Sequence, residues 1–177
     1  MGRIPYKWLV AVVFVSGVSM DLLDTSSVNV ALPELSRQFD ATVNQIEWVV
    51  LAYLLALAVA IPASGGVGDR FGTKRTYLLA LALFTGASVL CGMADSIAQL
   101  TAFRILQGIG GGMLIPVGTA MLFRAFPPVE RARASTVLMI PSVLAPALGP
   151  LVGGWFVTNH SWQWIFFLNV PIGIAAF

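Results

Sequence analysis

The feature that most constrains this chain is a series of apolar blocks, each about as long as a membrane is thick. The blocks cover residues 8–32, 46–63, 77–94, 97–123, 135–157 and 162–177. A helix of about 20 apolar residues crosses the ~30 Å hydrocarbon core of a bilayer. The sequence therefore predicts an all-α integral membrane protein whose spans form one six-helix bundle over residues 1–177.

Composition supports a lipid-facing surface. Only 10% of the residues are charged and 58% are hydrophobic, whereas a soluble domain has about 25% charged residues. The net charge of +2 is too small to indicate nucleic acid, so the expected partner is the lipid bilayer. Residues 165–177 make only about 20 Å of helix. We therefore expect the sixth helix to be truncated, because it is too short to cross the hydrocarbon core.

The basic residues predict an orientation. Of the ten Lys and Arg residues, eight fall before the first block or in alternate connectors: Arg3, Lys7, Arg70, Lys74, Arg75, Arg124, Arg131 and Arg133. The other connectors hold only Arg37. Cytoplasmic connectors are the basic ones, so we expect a cytoplasmic N-terminus in the inner or plasma membrane. The first block lacks a small-residue cleavage site, which favours an uncleaved span over a signal peptide.

Three ionisable residues lie inside the spans: Asp21, Asp24 and Arg104. Such residues usually face a cavity or a charged partner. Asp24 lies about 24 Å along its span from the cytoplasmic end, and Arg104 about 10 Å along its span from the outer end. The two depths are similar, so we expect an ion pair or a water-bridged contact. Asp21 shares a helical face with Asp24. Either acid is a candidate for proton coupling; the alternative is that one only braces the bundle.

Glycine and proline are dense in the fourth and fifth blocks. Gly108 and Gly112 form one GxxxG pair, and Gly149 and Gly153 form another. Such pairs allow close helix packing, and packing alone is one explanation. Two adjacent spans with this many helix-breaking residues look more like a moving interface between rocking bundles. The doublets 65–66 and 153–154 each end a block, which suggests that spans one to three and four to six are inverted repeats.

The connector after the second block is rich in glycine and charge. It runs Gly65-Gly66-Val67-Gly68-Asp69-Arg70-Phe71-Gly72-Thr73-Lys74-Arg75. We expect Asp69 to lie just before the third helix, where the positive end of the helix dipole favours an anion.

These motifs together resemble the major facilitator superfamily, and within it the fourteen-helix drug:proton antiporters of the EmrB/QacA type. Leu23-Asp24-Thr25 with the run from Val28 to Pro33 resembles the first-helix motif. The 65–75 connector resembles the cytoplasmic gate motif. Arg104 with Gln107-Gly108 resembles the fourth-helix motif, and Gly149-Pro150 with Gly153-Gly154 the antiporter motif of helix five. Residues 162–173 resemble the start of helix six, with Gln163 in place of an arginine.

The resemblance implies a proton-coupled antiporter that exports hydrophobic or amphipathic drugs, of which this chain is the N-terminal half. It implies that proton coupling or substrate contact involves Asp24, Asp21, Arg104 and Asn29. It implies a cytoplasmic gate at Gly65, Asp69, Arg70, Gly72, Lys74 and Arg75, and an antiporter motif at Gly149, Pro150, Gly153 and Gly154. No metal or cofactor is implied beyond the proton gradient, the substrate is a small hydrophobic or cationic compound, and a periplasmic adaptor is left open.

Three alternatives remain. The chain could belong to a transporter of one metabolite, or it could be a membrane fragment that transports nothing. A membrane enzyme is disfavoured, because the sequence has one histidine, His160, and no metal-ligand or Ser/His spacing. Trp48, Tyr53 and Met139 are candidates to line a substrate cavity, although packing within the bundle explains them better.

Overall fold

The regular structure of this chain is helical. The computed structural model describes residues 5–177, apart from the side chains of Arg131 and Leu138, so Arg3 lies outside the described residues. The helices are α1 Tyr6–Gln38, α2 Val43–Phe71, α3 Thr73–Gly92, α4 Ile97–Ala125, α5 Arg131–Asn159, α6 Gln163–Phe167 and α7 Asn169–Ala176, with a 3-10 turn at Pro128–Glu130. Within the described residues, α1 to α5 are long and apolar enough to cross a membrane. The predicted all-α membrane fold is confirmed.

Helices α1 to α5 are longer than the corresponding apolar blocks, because backbone hydrogen bonding continues into the polar residues that flank each block. α2 begins with a capping box: Gln45 N donates to Thr42 Oγ1 at 3.4 Å, and Thr42 N donates to Gln45 Oε1 at 2.9 Å. α2 ends at Gly72, whose φ of 86° lies in the left-handed region. Glycine enters that region without steric cost, so Gly72 sets the corner between α2 and α3.

The expected position of Asp69 is wrong. Asp69 lies in the last turn of α2, and Gly72 rather than Asp69 precedes the first residue of α3. A glycine inside a helix costs only about 1 kcal/mol, so Gly65, Gly66 and Gly68 do not end α2. The charge of Asp69 therefore stands at the negative end of the α2 dipole.

The sixth span is two short helices, α6 and α7, joined at Leu168. Proline has no N–H, so Pro171 cannot donate to the carbonyl of Phe167, and the helical hydrogen bonding lapses there. Asn169 is consequently the first residue of α7.

The helices pack in a pattern that pairs one half of the chain with the other. α4 lies against α2 and α3, α5 lies mainly against α1, and α7 lies against α1 and α3. Exchanging α1 with α4 and α2 with α5 converts the α2–α4 contact into the α5–α1 contact, as expected for inverted repeats. Many large apolar side chains on the outer faces of α2 and α5 are exposed.

Candidate proton-coupling site

A cluster of polar side chains is buried between α1, α3, α4 and α7. Its members are at most 1% exposed: Asp24, Ser88, Arg104, Gln107 and Asn169. A polar group buried without a partner is costly, and a charge is more so. The hydrogen bonds within the cluster offset part of that cost and hold the charged residues in the interior of the bundle.

The predicted contact between Asp24 and Arg104 is present. Arg104 Nη1 donates to Asp24 Oδ2 in an ion pair that links α4 to α1. The guanidinium also lies 3.9 Å from the centroid of the Tyr53 ring, in cation–π geometry. Its Nε donates to the carbonyl of Val49 at 3.4 Å. Arg104 is thus fixed by α1 and by α2 at once.

Two amides complete the surroundings of Asp24. Gln107 Nε2 and Asn169 Nδ2 both donate to Asp24 Oδ1, at 2.8 and 3.1 Å. The same two nitrogens donate to Ser88 Oγ, at 2.8 and 2.9 Å. These bonds form a closed ring of Asp24, Gln107, Ser88 and Asn169, which we call the amide ring. In the described part of the chain every group bonded to Asp24 is a donor, which fits an ionised carboxylate.

Asp21 occupies a separate site one turn away on α1. Tyr53 Oη donates to Asp21 Oδ1, and both side chains are buried. A Cβ atom at Gly111 would lie 2.5 Å from that carboxylate oxygen and 2.9 Å from the tyrosine hydroxyl. Glycine at this position of α4 therefore makes room for the Asp21–Tyr53 pair.

Asn29 does not join the cluster. It is exposed on α1, and its Nδ2 donates to the carbonyl of Thr25 at 2.9 Å, within the same helix. Of the candidates for a cavity wall, Trp48 and Met139 are exposed, whereas Tyr53 is buried against Asp21 and Arg104.

An apolar groove of about 540 Å³ runs between α2 and α4. Its lining includes Trp48, Ala52, Leu55, Val59, Ile105 and Met113. Neither Asp24 nor Arg104 lines it, so the acidic site and the groove lie on different sides of α4.

The gate motif surrounds the corner between α2 and α3. All six residues are exposed: Gly65, Asp69, Arg70, Gly72, Lys74 and Arg75. Arg124, from the end of α4, donates to Thr73 Oγ1 at 3.4 Å beside this corner. Among the described residues, Asp69 forms no ion pair.

The antiporter motif lies at the contact between α5 and α1. Gly149 and Gly153 are buried against Ser26 and Ser27, and Ser27 Oγ donates to the carbonyl of Gly149 at 2.9 Å. Pro150 is exposed and Gly154 is half-buried. The GxxxG pair of α5 is therefore a packing surface for α1.

Sequence reasoning missed the amide ring. Gln107 and Asn169 belong to motifs quoted above but received no role, and Ser88 was not noticed. A polar residue three positions after Arg104 was a usable signal for Gln107. Ser88 gave none, because serine is common in membrane helices and bonds readily to its own backbone.

The comparisons with known proteins agree on a family. The sequence model described as Major Facilitator Superfamily matches residues 12–177. A Serratia proteamaculans protein named as a multidrug resistance protein, MdtD, is 39% identical over 168 residues, which cover 95% of this chain and 34% of that protein. A multidrug resistance protein B homolog of Mycobacterium tuberculosis is 41% identical over 154 residues, which cover 87% of this chain and 28% of that protein.

Solved structures show the same fold. A bacterial homolog of the human lysosomal transporter Spinster, inward-facing and occupied, superposes with a TM-score of 0.77 at 17% identity. The match covers 99% of this chain and 44% of that one. The human organic anion transporter MFSD10 gives 0.74 at 19% identity, covering 98% and 47%. This chain thus spans about a third of the length of the curated relatives it matches.

Proposed function

Because this chain belongs to the major facilitator superfamily, we propose that it forms the N-terminal bundle of a proton-coupled antiporter for hydrophobic or amphipathic compounds. The observation that carries this proposal is the buried Asp24–Arg104 ion pair, held by the amide ring. Relatives named as multidrug resistance proteins support drugs or similar toxic compounds as the substrate class.

The ion pair suits proton coupling for an energetic reason. A charge in the membrane interior is costly, so intramembrane carboxylates commonly mark proton pathways. Breaking a buried pair by neutralising one partner is strongly destabilising. Protonation of Asp24 would therefore release Arg104 and favour a different arrangement of α1 and α4, which is the linkage that an antiporter needs between proton binding and conformation.

The other residues take supporting roles in this proposal. Asp21, held by Tyr53, is a second proton acceptor, and Arg104 tunes Asp24. Asn29, on the exposed face of α1, is available to the substrate. Asp69 and Arg70 hold the cytoplasmic gate, and the α5 glycines let α5 bend or slide where it meets α1.

We place the chain in the inner or plasma membrane with its N-terminus in the cytoplasm, because the connectors on that side carry the basic residues. The lipid bilayer and a C-terminal bundle of the same protein are its proposed partners, and the proton gradient is its energy source. The exposed apolar faces of α2 and α5 are suited to both partners.

Transport of a fluorescent cation tests the proposal. The protein as encoded in its gene is expressed, and uptake of ethidium into everted membrane vesicles is followed as a pH gradient is imposed. We expect gradient-driven uptake by the unsubstituted protein and a loss of about tenfold or more for Asp24→Asn. Asp40→Asn is the matched control, because Asp40 is exposed and its φ of 44° is readily adopted by asparagine.

Two results would contradict the proposal. If Asp24→Asn still drives ethidium uptake at the unsubstituted rate, Asp24 does not couple the proton. If the unsubstituted protein moves neither ethidium nor other cationic dyes when the gradient is imposed, export of hydrophobic cations is wrong. A metabolite transporter would then be the better interpretation.

A further inference from the structure

The sixth span reaches the proton-coupling site through one polar side chain. Asn169 is the first residue of α7, directly after the interruption at Leu168. Its amide nitrogen donates to Asp24 on α1 and to Ser88 on α3. A single side chain therefore connects the start of α7 with the Asp24 carboxylate of α1.

The amide ring is built for a carboxylate and not for a carboxylic acid. Asp24 Oδ1 accepts from two amide nitrogens, and Asp24 Oδ2 accepts from Arg104. An ionised carboxylate only accepts, whereas a protonated one has an O–H that must donate. In the arrangement described, the O–H of a protonated Asp24 would point at N–H groups, which are donors and cannot accept a hydrogen bond.

Gln107 cannot supply the missing acceptor. Its Oε1 accepts from Arg104 Nη1 at 2.8 Å and lies 3.6 Å from the Cys91 thiol. Turning this amide over would place its NH₂ group against the guanidinium, donor against donor. Arg104 carries no acceptor at all.

Asn169 is free of that constraint, because its hydrogen bonds in the ring are made by its nitrogen alone. We infer that Asn169 is a positioning residue that turns its side-chain amide over when Asp24 is protonated, and so reports the proton to the sixth span. This inference rests on the proposed function. The turned amide offers its carbonyl oxygen to the Asp24 O–H and to the Ser88 hydroxyl. One proton joins the Asp24 carboxylate from water on the acidic side and leaves to water on the other, with no other covalent change.

The contact between α7 and α3 is suited to moving with this switch. Gly173, one turn after Asn169, lies directly against the Thr85 side chain. Thr85 Oγ1 is buried, and in the described part of the chain it has no hydrogen-bond partner. In the part of the chain that the structure describes, the face of α7 that follows Asn169 packs against α3 through Gly173, beside an unsatisfied hydroxyl, and makes no further polar bond to α3.

Few other charges act on Asp24. Among the described residues, the titratable groups that face it are Arg104 from α4, Tyr53 from α2, Cys91 from α3 and Asp21 on α1 itself. Neither α6 nor α7 contains a titratable residue, and α5 carries its arginines in its first turn. The sixth span can therefore respond to the proton on Asp24 through hydrogen bonds but not through its own charge.

Two transport modes separate a positioning role from a structural one. The encoded protein is reconstituted into liposomes, and ethidium transport is measured in two ways: driven by a pH gradient, and as counterflow against preloaded ethidium without a gradient. Asn169→Leu keeps the approximate size but removes donor and acceptor, and Asn169→Gln keeps the amide. Asn44→Leu, the same change at an exposed site in the first turn of α2, is the control.

We expect Asn169→Leu to lower gradient-driven transport about tenfold while counterflow stays within about twofold. Asn169→Gln should recover a measurable part of the coupling, and Asn44→Leu should behave like the unsubstituted protein. Equal loss of both modes in Asn169→Leu, with a lower melting temperature, would overturn the inference in favour of a packing role. Unchanged coupling in Asn169→Leu would overturn it too.

The proposed function fails separately. If the unsubstituted protein shows counterflow but no gradient-driven transport, proton coupling is wrong and the inference falls with it. If the unsubstituted protein is coupled and Asn169→Leu is equally coupled, the inference alone is wrong.

Discussion

Two helices of the bundle carry a pair of glycines four residues apart, and they use them differently. On α4, Gly108 and Gly112 face the backbone of α2. A Cβ atom at Gly108 would lie 2.5 Å from the carbonyl oxygen of Tyr53, and one at Gly112 would lie 2.8 Å from that of Leu57. Neither carbonyl can move without moving α2. The α4 pair thus fixes the distance between two helix backbones.

On α5 the glycines face α1, and the contact is partly polar. A Cβ atom at Gly153 would lie 2.9 Å from the carbonyl oxygen of Ser27, while the Ser27 hydroxyl donates to the carbonyl of Gly149 at 2.9 Å. α5 has few other neighbours. In its most apolar segment 29% of the residues are buried, against 50% for α4.

The difference teaches that one motif serves two purposes. α4 is enclosed by α1, α2 and α3 and carries Arg104, so its glycines hold the charged cluster at a fixed depth. α5 packs mainly against α1, so its glycines form a contact with one helix only in the described part of the chain. We therefore expect substitutions around α4 to lower stability more than comparable substitutions around α5.

The largest effect is expected where α4 carries its charge. Arg104→Met leaves the Asp24 carboxylate buried without its cation, and removal of one partner of a buried pair costs about 3–5 kcal/mol. The measurement is the midpoint of aggregation on heating in detergent, read by size-exclusion chromatography. Arg37→Met, at an exposed ion pair 3.0 Å from Glu34, should change the midpoint little. Equal midpoints for the two variants would contradict the buried pair.

A smaller loss is expected at the α4 glycines. Gly108→Ala forces α4 away from α2, and overpacking of this kind costs about 1–3 kcal/mol. Gly86→Ala on α3 is the matched control, because a Cβ atom there meets nothing within 4 Å. The control should be neutral or stabilising, since alanine is favoured over glycine in a helix by about 1 kcal/mol. If Gly108→Ala left the heating midpoint unchanged, α2 would be able to move away from α4 at little cost, and the prediction would be wrong.

Substitutions at the contact between α5 and α1 should lower stability less than those at the contact between α4 and α2. Ser27→Ala removes the bond to the Gly149 carbonyl, and such bonds between membrane helices contribute about 0.6 kcal/mol. Thr136→Ala is the control, because its hydroxyl is exposed and donates to the carbonyl of Ala132 in the same helix. If Ser27→Ala shifts the heating midpoint as far as Gly108→Ala does, the contrast between the two glycine pairs is wrong.

The smallest effect is expected at the beginning of α5. Lys7 Nζ lies 2.6 Å from Glu130 Oε2 and ties the start of α1 to the residue before α5. The hydrogen bond from Lys7 holds the pKa of Glu130 below its ordinary value. A carboxyl whose pKa is lower in the folded state stabilises the folded protein at pH values above its unfolded-state pKa. That contribution is lost as the pH falls through the folded-state pKa.

Lys7→Met should therefore lower the heating midpoint slightly at pH 7 and by less at about pH 3. The same melting measurement, repeated across that range with Glu130→Gln alongside, checks the sign. If the difference in heating midpoint between Lys7→Met and the unsubstituted protein grew as the pH fell, the Lys7–Glu130 ion pair would not be its source.

The fold could be predicted because the bilayer sets the length of each apolar block, and the contact of Asp24 with Arg104 followed from depth along two antiparallel spans. The ends of the helices could not. Hydrogen bonding carried α2 past its apolar block to Gly72 and placed Asp69 inside the helix. Composition marks where lipid ends, but local backbone conformation marks where the helix ends.

The partners of Asp24 were also beyond the sequence, for a different reason. A membrane helix that is apolar on every side has no polar face to reveal its orientation. Ser88 and Asn169 therefore looked like isolated polar residues until the helices were assembled around Asp24. Charges could be matched by depth because they are rare in membranes, whereas small polar residues are not.

The one cysteine of this chain offers a practical consequence. Cys91 is fully buried and its thiol lies 3.6 Å from Gln107 Oε1, beside the amide ring. Alkylating reagents reach a thiol only when water does, so the labelling rate of Cys91 would measure how often the bundle interior opens to solvent. The chain thus carries a reporter at its charged centre, with no cysteine to be introduced.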